Sequence, residues 1–190
     1  MNIALKEELI LMAETDQRVL RELAEDGKLG TVEYHPQMRE VHESNTDRLK
    51  QVIQKYGWPD IDLVGPEGAE AAWLIVQHAI SDVTFMRSCI PLIKQGVRAQ
   101  KVKSWQLAFL QDRVLTMSGE PQIYGTQFDI DEEGWPVPSP IAEVNTVNER
   151  RARLGLNSIE ERTEEMRQRE QWVREQRDMT NQALNQTHKG

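Results

Sequence analysis

Ala72-Trp73-Leu74-Ile75-Val76-Gln77-His78-Ala79-Ile80 decides the fold. The segment is apolar on nearly every helical face, and a helix with no wet side must be covered by others. Residues 66–80 therefore predict the central helix of an all-α domain. Its last turn carries Gln77 and His78, polar groups that cost free energy beside a core unless each finds a partner. The same tension recurs at Asp112-Arg113, late in a helix predicted over 105–117, and in Pro121-Gln122-Ile123-Tyr124-Gly125-Thr126-Gln127. These residues predict a polar pocket built against a helical core.

Outward from that centre, helical punctuation continues. Ile3, Leu5, Leu9, Leu11, Met12, Val19, Leu20 and Leu23 recur at steps of three and four, predicting a helix over 3–26 stopped by Gly27 and Gly30. Asp16, Gln17 and Arg21 interrupt its faces. Pro36 opens a second helix to about Tyr56, and Trp58-Pro59 forces an extended linker. Asp82 follows His78 at i+4; it is expected to cap a helix over 83–95, which leaves one carboxylate oxygen free to meet His78. Ser104 is expected to cap the 105–117 helix. Residues 129–140 read as an acidic, Pro-rich loop, 144–154 as another helix, and Ser158-Ile159-Glu160-Glu161 as the capping box of a long final helix to about 184. The expectation is one domain of six or seven helices: residues 1–157 form the helical domain with its pocket, and 158–190 a charged helix and disordered tail. The sparse apolar anchors of that helix, Met166, Trp172, Val173 and Met179, make it a candidate homo-oligomer contact.

Composition bounds the function. The 190 residues include one cysteine, Cys89, set among apolar neighbours, which suits a small buried hydrophobe in a reducing, cytoplasmic setting better than a nucleophile. The start of the chain carries acidic residues at helical spacing and does not read as a signal peptide. The longest apolar run is too short to span a bilayer, so no membrane partner is expected. A net charge of −8 argues against a general nucleic-acid binder. Between Val83 and Gln111 there is no Asp or Glu, while Arg87, Lys94, Arg98, Lys101 and Lys103 are basic, either a solvated surface or an attractive rim for an anionic ligand.

Familiar chemical motifs fail. His42-Glu43-Ser44-Asn45-Thr46 starts like the zinc-protease helix but ends in Thr where a second His must stand. Asp129-Ile130-Asp131 starts like a calcium loop, yet its twelfth position is Pro140. His35, His42, His78 and His188 are not spaced as helical ligand pairs, so no metal and no cofactor is expected.

Met12-Ala13-Glu14-Thr15-Asp16-Gln17, Asn45, Gly57-Trp58-Pro59, Gln77-His78, Asp82, Leu110-Gln111-Asp112-Arg113-Val114, Gly119-Glu120-Pro121-Gln122-Ile123-Tyr124-Gly125-Thr126-Gln127 and Arg151-Ala152-Arg153-Leu154-Gly155-Leu156 together carry a resemblance. Over residues 5–160 the chain resembles the bacterial domain of unknown function 6624 family, which implies a shared fold and site and no particular reaction. The residues themselves permit acid–base work by His78, with Asp82, Asp112 or Tyr124 orienting it or sharing the proton transfer. Arg113 can grip an anion, and Asp16, Gln17, Arg21, Trp73, Gln77, Gln122, Thr126 and Gln127 can line and read a ligand. The leading expectation is a cofactor-independent acid–base enzyme of hydrolase or lyase type acting on a small polar, anionic metabolite. The alternatives are a non-catalytic helical module that binds a small ligand or a protein, and a buried polar network that only fixes helix register.

Overall fold

The computed structural model describes residues 1–28 and 34–187, with the side chains of 177, 178 and 180–187 left aside. The expected stop at Gly30, His188 and the end of the expected disordered tail lie outside the described residues. Among the described residues the structure is 70% helical, with seven helices and one tiny two-stranded sheet, so the fold is all-α.

Helices α1 (Ile3–Glu25), α2 (Pro36–Tyr56) and α3 (Ile61–His78) pack on one another, and α4 (Val83–Arg98) and α5 (Ser104–Met117) close the other side of α3. The core between them holds Leu9, Leu49, Val64, Ala72, Ile75, Val76, Met86, Ile93 and Leu110, all fully or almost fully buried. Central placement of α3 follows from its all-round apolarity. It starts earlier than Pro66: Asp60 caps a first turn by accepting from Asp62 N and Leu63 N, and Gly65, at φ 71°, breaks the axis before Pro66 restarts it. Ser104 is the first residue of α5 and not its cap; Gln106 Oε1 reaches back to the Lys103 N–H at 3.2 Å in its place. Cys89 lies fully buried in the core, where burial pushes its thiol up to about 12. At neutral pH it is an inert hydrophobe.

The expected loop at 129–140 is a hairpin of β1 (Phe128–Ile130) and β2 (Pro136–Pro138), antiparallel, with Phe128 opposite Pro138. Asp131 Oδ1 turns it by accepting from Glu133 N and Trp135 N. A single turn of 3-10 helix (Val144–Thr146) precedes α6 (Val147–Ala152), where one continuous helix was expected. The capping box of α7 (Ile159–Thr187) is present: Ser158 N donates to Glu161 Oε2 at 2.8 Å, and Glu161 N donates to Ser158 Oγ at 3.1 Å. Helix α7 lies against β2 and α6, and the Arg174 guanidinium sits 4.1 Å from the Trp135 ring centroid. No helix among the described residues is long and apolar enough to cross a membrane.

Candidate functional site

Three helices bring polar residues from their inner faces together, Asp16 from α1, His42 from α2 and His78 from α3. In α1 the buried positions are Leu5, Leu9, Ala13, Asp16, Val19 and Leu23, and in α2 they are Met38, His42, Asn45, Thr46, Leu49 and Val52. Steps of three and four align each set on one face. His78 ends α3 and turns toward both. His78 Nδ1 lies 3.0 Å from Asp16 Oδ1 and 2.8 Å from Oδ2, so a proton on Nδ1 is donated to the carboxylate and Nε2 keeps its lone pair. His42 Nε2 lies 2.9 Å from Asp16 Oδ2, but off the direction of a hydrogen bond, and this buried nitrogen has no hydrogen-bond partner. The Tyr34 hydroxyl meets His42 Nδ1 on the far side of the ring, and Gln17 Nε2 donates to Asp16 Oδ1 at 3.0 Å.

Burial raises the Asp16 carboxyl, but contacts with His42 and His78 and their charge outweigh it and hold the group well below the usual carboxylate range. Burial, aided by the Asp16 charge, pushes the Tyr34 hydroxyl up to about 12, so it stays protonated. His78 keeps 22% of its side chain exposed against 1% for Asp16. The imidazole is therefore the member of the pair that solvent or a ligand can reach.

A groove of about 710 Å³ runs between α1 and α3, lined among others by Leu11, Gln17, Arg21, Trp73 and Leu74. Gln17 adjoins Asp16 in the chain and Leu74 stands one helical turn before His78, so one end of the groove comes beside the cluster. Arg21 makes no ion pair or hydrogen bond among the described residues, unlike Arg18, which is paired with Glu22. Trp73 donates Nε1–H to Gln106 O at 3.1 Å and stacks edge-on with Trp105.

The remaining expected residues gather elsewhere, around the segment 121–127. Asp112 is fully buried and accepts from Ile123 N, Tyr124 N, Thr126 N and the Thr126 hydroxyl at 2.8–3.1 Å. Burial pushes its carboxyl up, and these four bonds work against that. Gln122, also fully buried, donates Nε2–H to Gln127 O and Ser139 O and accepts from Gln127 N. Arg113 donates to Gln127 Oε1 at 2.9 Å and to Gln77 O at 2.8 Å, tying the segment to α3. The carbonyl side is held by residues outside the expected set: Arg150 Nε donates to Ile123 O, and the buried Arg151 donates to Tyr124 O and Gly125 O. Gly125, at φ 67°, is where an added Cβ meets Ile159 Cδ1 at 2.6 Å, so the segment and the first residue of α7 are fitted to each other.

Asp82 caps α4 by accepting from Phe85 N and pairs with Lys50 at 2.9 Å; no hydrogen bond or ion pair joins it to His78. The basic stretch is partly neutralised, Lys101 by Asp60 and Asp62, and Arg87 by Glu120. Sequence reasoning placed Asp16 beside a ligand but did not pair it with His78, and it passed over His42 and Tyr34. The signal for His42 was present in its step of four from Met38 and three to Asn45, on the apolar stripe of α2.

No curated protein and no solved structure matches the chain. The family model described as a family of unknown function, DUF6624, matches residues 3–170, nearly the full length, and the chain belongs to that family.

Proposed function

We propose that the protein is an acid–base enzyme of hydrolase or lyase type, acting on a small polar, anionic substrate, with His78 as the group that takes and returns a proton. The observation that carries this reading is the orientation of one imidazole by one buried carboxylate. Asp16 holds His78 Nδ1 with both oxygens, which favours the tautomer with its proton on Nδ1 and leaves Nε2 as the base of a partly exposed ring. The groove along α1 and α3 supports a place for the rest of the substrate, with Trp73 and Leu74 as apolar wall and the unpaired Arg21 as the group for a carboxylate or phosphate.

The second reading, a non-catalytic module that binds a small ligand in the same groove, is favoured by one fact: His78 does not line that groove. The two separate on turnover. A library of small anionic metabolites screened by thermal shift supplies binders, and each is then followed for chemical change with wild type and His78→Gln. The enzyme reading expects turnover that falls by roughly 10²–10⁴-fold in the variant while binding persists. A binder that is never converted supports the module, and turnover untouched in His78→Gln removes His78 from the chemistry.

A further inference from the structure

We propose that Asp16, His42 and His78 form a binding site for one divalent first-row transition-metal ion, Zn²⁺ being the reference case. Their ligand atoms, one carboxylate oxygen and two imidazole nitrogens, all lie within 4.8 Å of one another, on residues of which two are buried and the third partly so. The second observation is the state of His42. The residue is 8% exposed, and its Nε2 points into the cluster with no hydrogen-bond partner among the described residues, 2.9 Å from a carboxylate oxygen. With the His42 ring proton on Nδ1, toward the Tyr34 oxygen, Nε2 and Asp16 Oδ2 are two electron-pair donors 2.9 Å apart, which repel each other unless a cation lies alongside both. A buried polar atom left in that condition is uncommon and calls for a partner.

The surroundings suit a metal. The Tyr34 hydroxyl engages His42 Nδ1, which orients the ring and leaves Nε2 for the ion, and Gln17 holds the other oxygen of Asp16. Such outer contacts are what fix ligating histidines and carboxylates elsewhere. Ligand distances of about 2.0–2.1 Å need donors roughly 3.0–3.4 Å apart. Asp16 Oδ2 stands 2.9 Å from His42 Nε2 and 2.8 Å from His78 Nδ1, each a few tenths of an ångström short of that spacing. One carboxylate leaves a net single positive charge on the loaded site, and two imidazoles favour zinc, iron, cobalt or nickel over magnesium or calcium. Three protein ligands leave at least one position open on the side where His78 is exposed, the pattern of reactive and not of structural sites. This departs from the metal-free expectation because the three ligands come from three helices and no spacing along the chain announces them.

The inference rests on the residues of the acid–base reading but does not need turnover: an ion on His78 Nδ1 takes the place of the proton that Nδ1 otherwise donates to Asp16, so the loaded site and the proton-bearing pair are alternative states of the same residues. Full-length protein is stripped with a chelator, dialysed, and titrated with Zn²⁺ by calorimetry and with Co²⁺ by visible absorption. The expected result is one ion per chain, a Co²⁺ spectrum with the intensity of low coordination, and a melting midpoint raised by several degrees. His42→Gln and Asp16→Asn are expected to weaken binding at least 100-fold, and His35→Ala to leave it unchanged. Should His42→Gln fail to fold, His78→Gln, at the partly exposed ligand, serves in its place. Stripped wild type that takes up neither ion at micromolar concentration overturns the proposal, as does undiminished binding in a folded ligand variant. If no ion binds while His78→Gln abolishes turnover, the metal site fails and the acid–base reading stands. If the ion binds and no substrate is turned over, the reverse holds.

Discussion

Asp16 and Asp112 are both carboxylates almost wholly removed from water, at 1% and 0% exposure, yet their partners differ in kind. Asp112 meets four fixed donors, three of them backbone amides of one segment, and each bond restrains the chain. None of those donors changes protonation at any ordinary pH. Asp16 meets two imidazoles, whose protons come and go and whose lone pairs bind metals. One carboxylate therefore organises a loop, and the other joins two imidazoles from two further helices. The Asp-Arg and Pro-Gln-Ile-Tyr-Gly-Thr-Gln segments, which look functional in sequence, belong largely to the first.

The sharpest way to break that contrast is Asp112→Ala. It strands three backbone N–H groups and a hydroxyl in a buried place, each at roughly 1–3 kcal/mol if water does not reach it. A loss on the order of 3–5 kcal/mol is expected, and at about 2–4 °C per kcal/mol the melting midpoint drops by roughly 6–20 °C. Asp112→Asn keeps one acceptor and is expected to lose about half as much. A midpoint within two degrees of wild type for Asp112→Ala would show that the segment is held without it, by Arg113, Gln122, Arg150 and Arg151.

Gly125→Ala tests the same region with a smaller effect. The residue sits at φ 67°, and the new methyl lies 2.6 Å from Ile159 Cδ1 and 3.1 Å from Ile141 Cδ1. Backbone strain of about 1 kcal/mol and overpacking of about 1–3 kcal/mol add to a loss of roughly 2–4 kcal/mol. Ile159→Ala in the same chain removes the closest clash but not the φ strain, so the double variant is expected to lose less than the two single losses added. Strict additivity would mean that α7 and the segment are not packed as described.

Much of this architecture was legible from periodicity and punctuation. The bounds of α2, the capping box of α7 and the central place of α3 follow from Pro36, Ser158 with Glu161, and the apolarity of 72–76, which are local signals. The early start of α3 was hidden because Asp60 and Gly65 act together, a cap followed by a break, and each alone reads as loop. The site was half legible for a related reason. His78 and Asp16 stand out as polar residues on apolar stripes, but their pairing spans 62 positions and depends on how α1 packs on α3. His42 drew notice only for the motif it fails to complete.

The smallest expected effect bears on the chemical half of the comparison. In Asp16→Asn the carboxamide oxygen still accepts from His78 Nδ1, but a bond to a charged acceptor, at about 1.5–3 kcal/mol, becomes one to a neutral acceptor at about 0.5–1.5 kcal/mol. The expected loss at pH 7 is therefore about 1–2 kcal/mol, below that of either preceding variant. Its pH dependence carries the discrimination. The folded-state pKa of Asp16 lies below the ordinary carboxylate value, so its ionised form stabilises the fold above roughly pH 4, and that contribution fades as the pH falls toward the folded value. Asparagine does not titrate. The gap between wild type and Asp16→Asn should thus be widest near neutrality and close on acidification. Asp112 has the opposite sign: its carboxyl is raised by burial, so the contribution of its titration is full below the ordinary value and declines as the pH climbs through the folded one. Melting curves of wild type, Asp16→Asn and Asp112→Asn at pH 3, 5 and 7 read both slopes. Two gaps that move together with pH would erase the distinction drawn between the two carboxylates, and Asp16 would then be one more buried tie between helices.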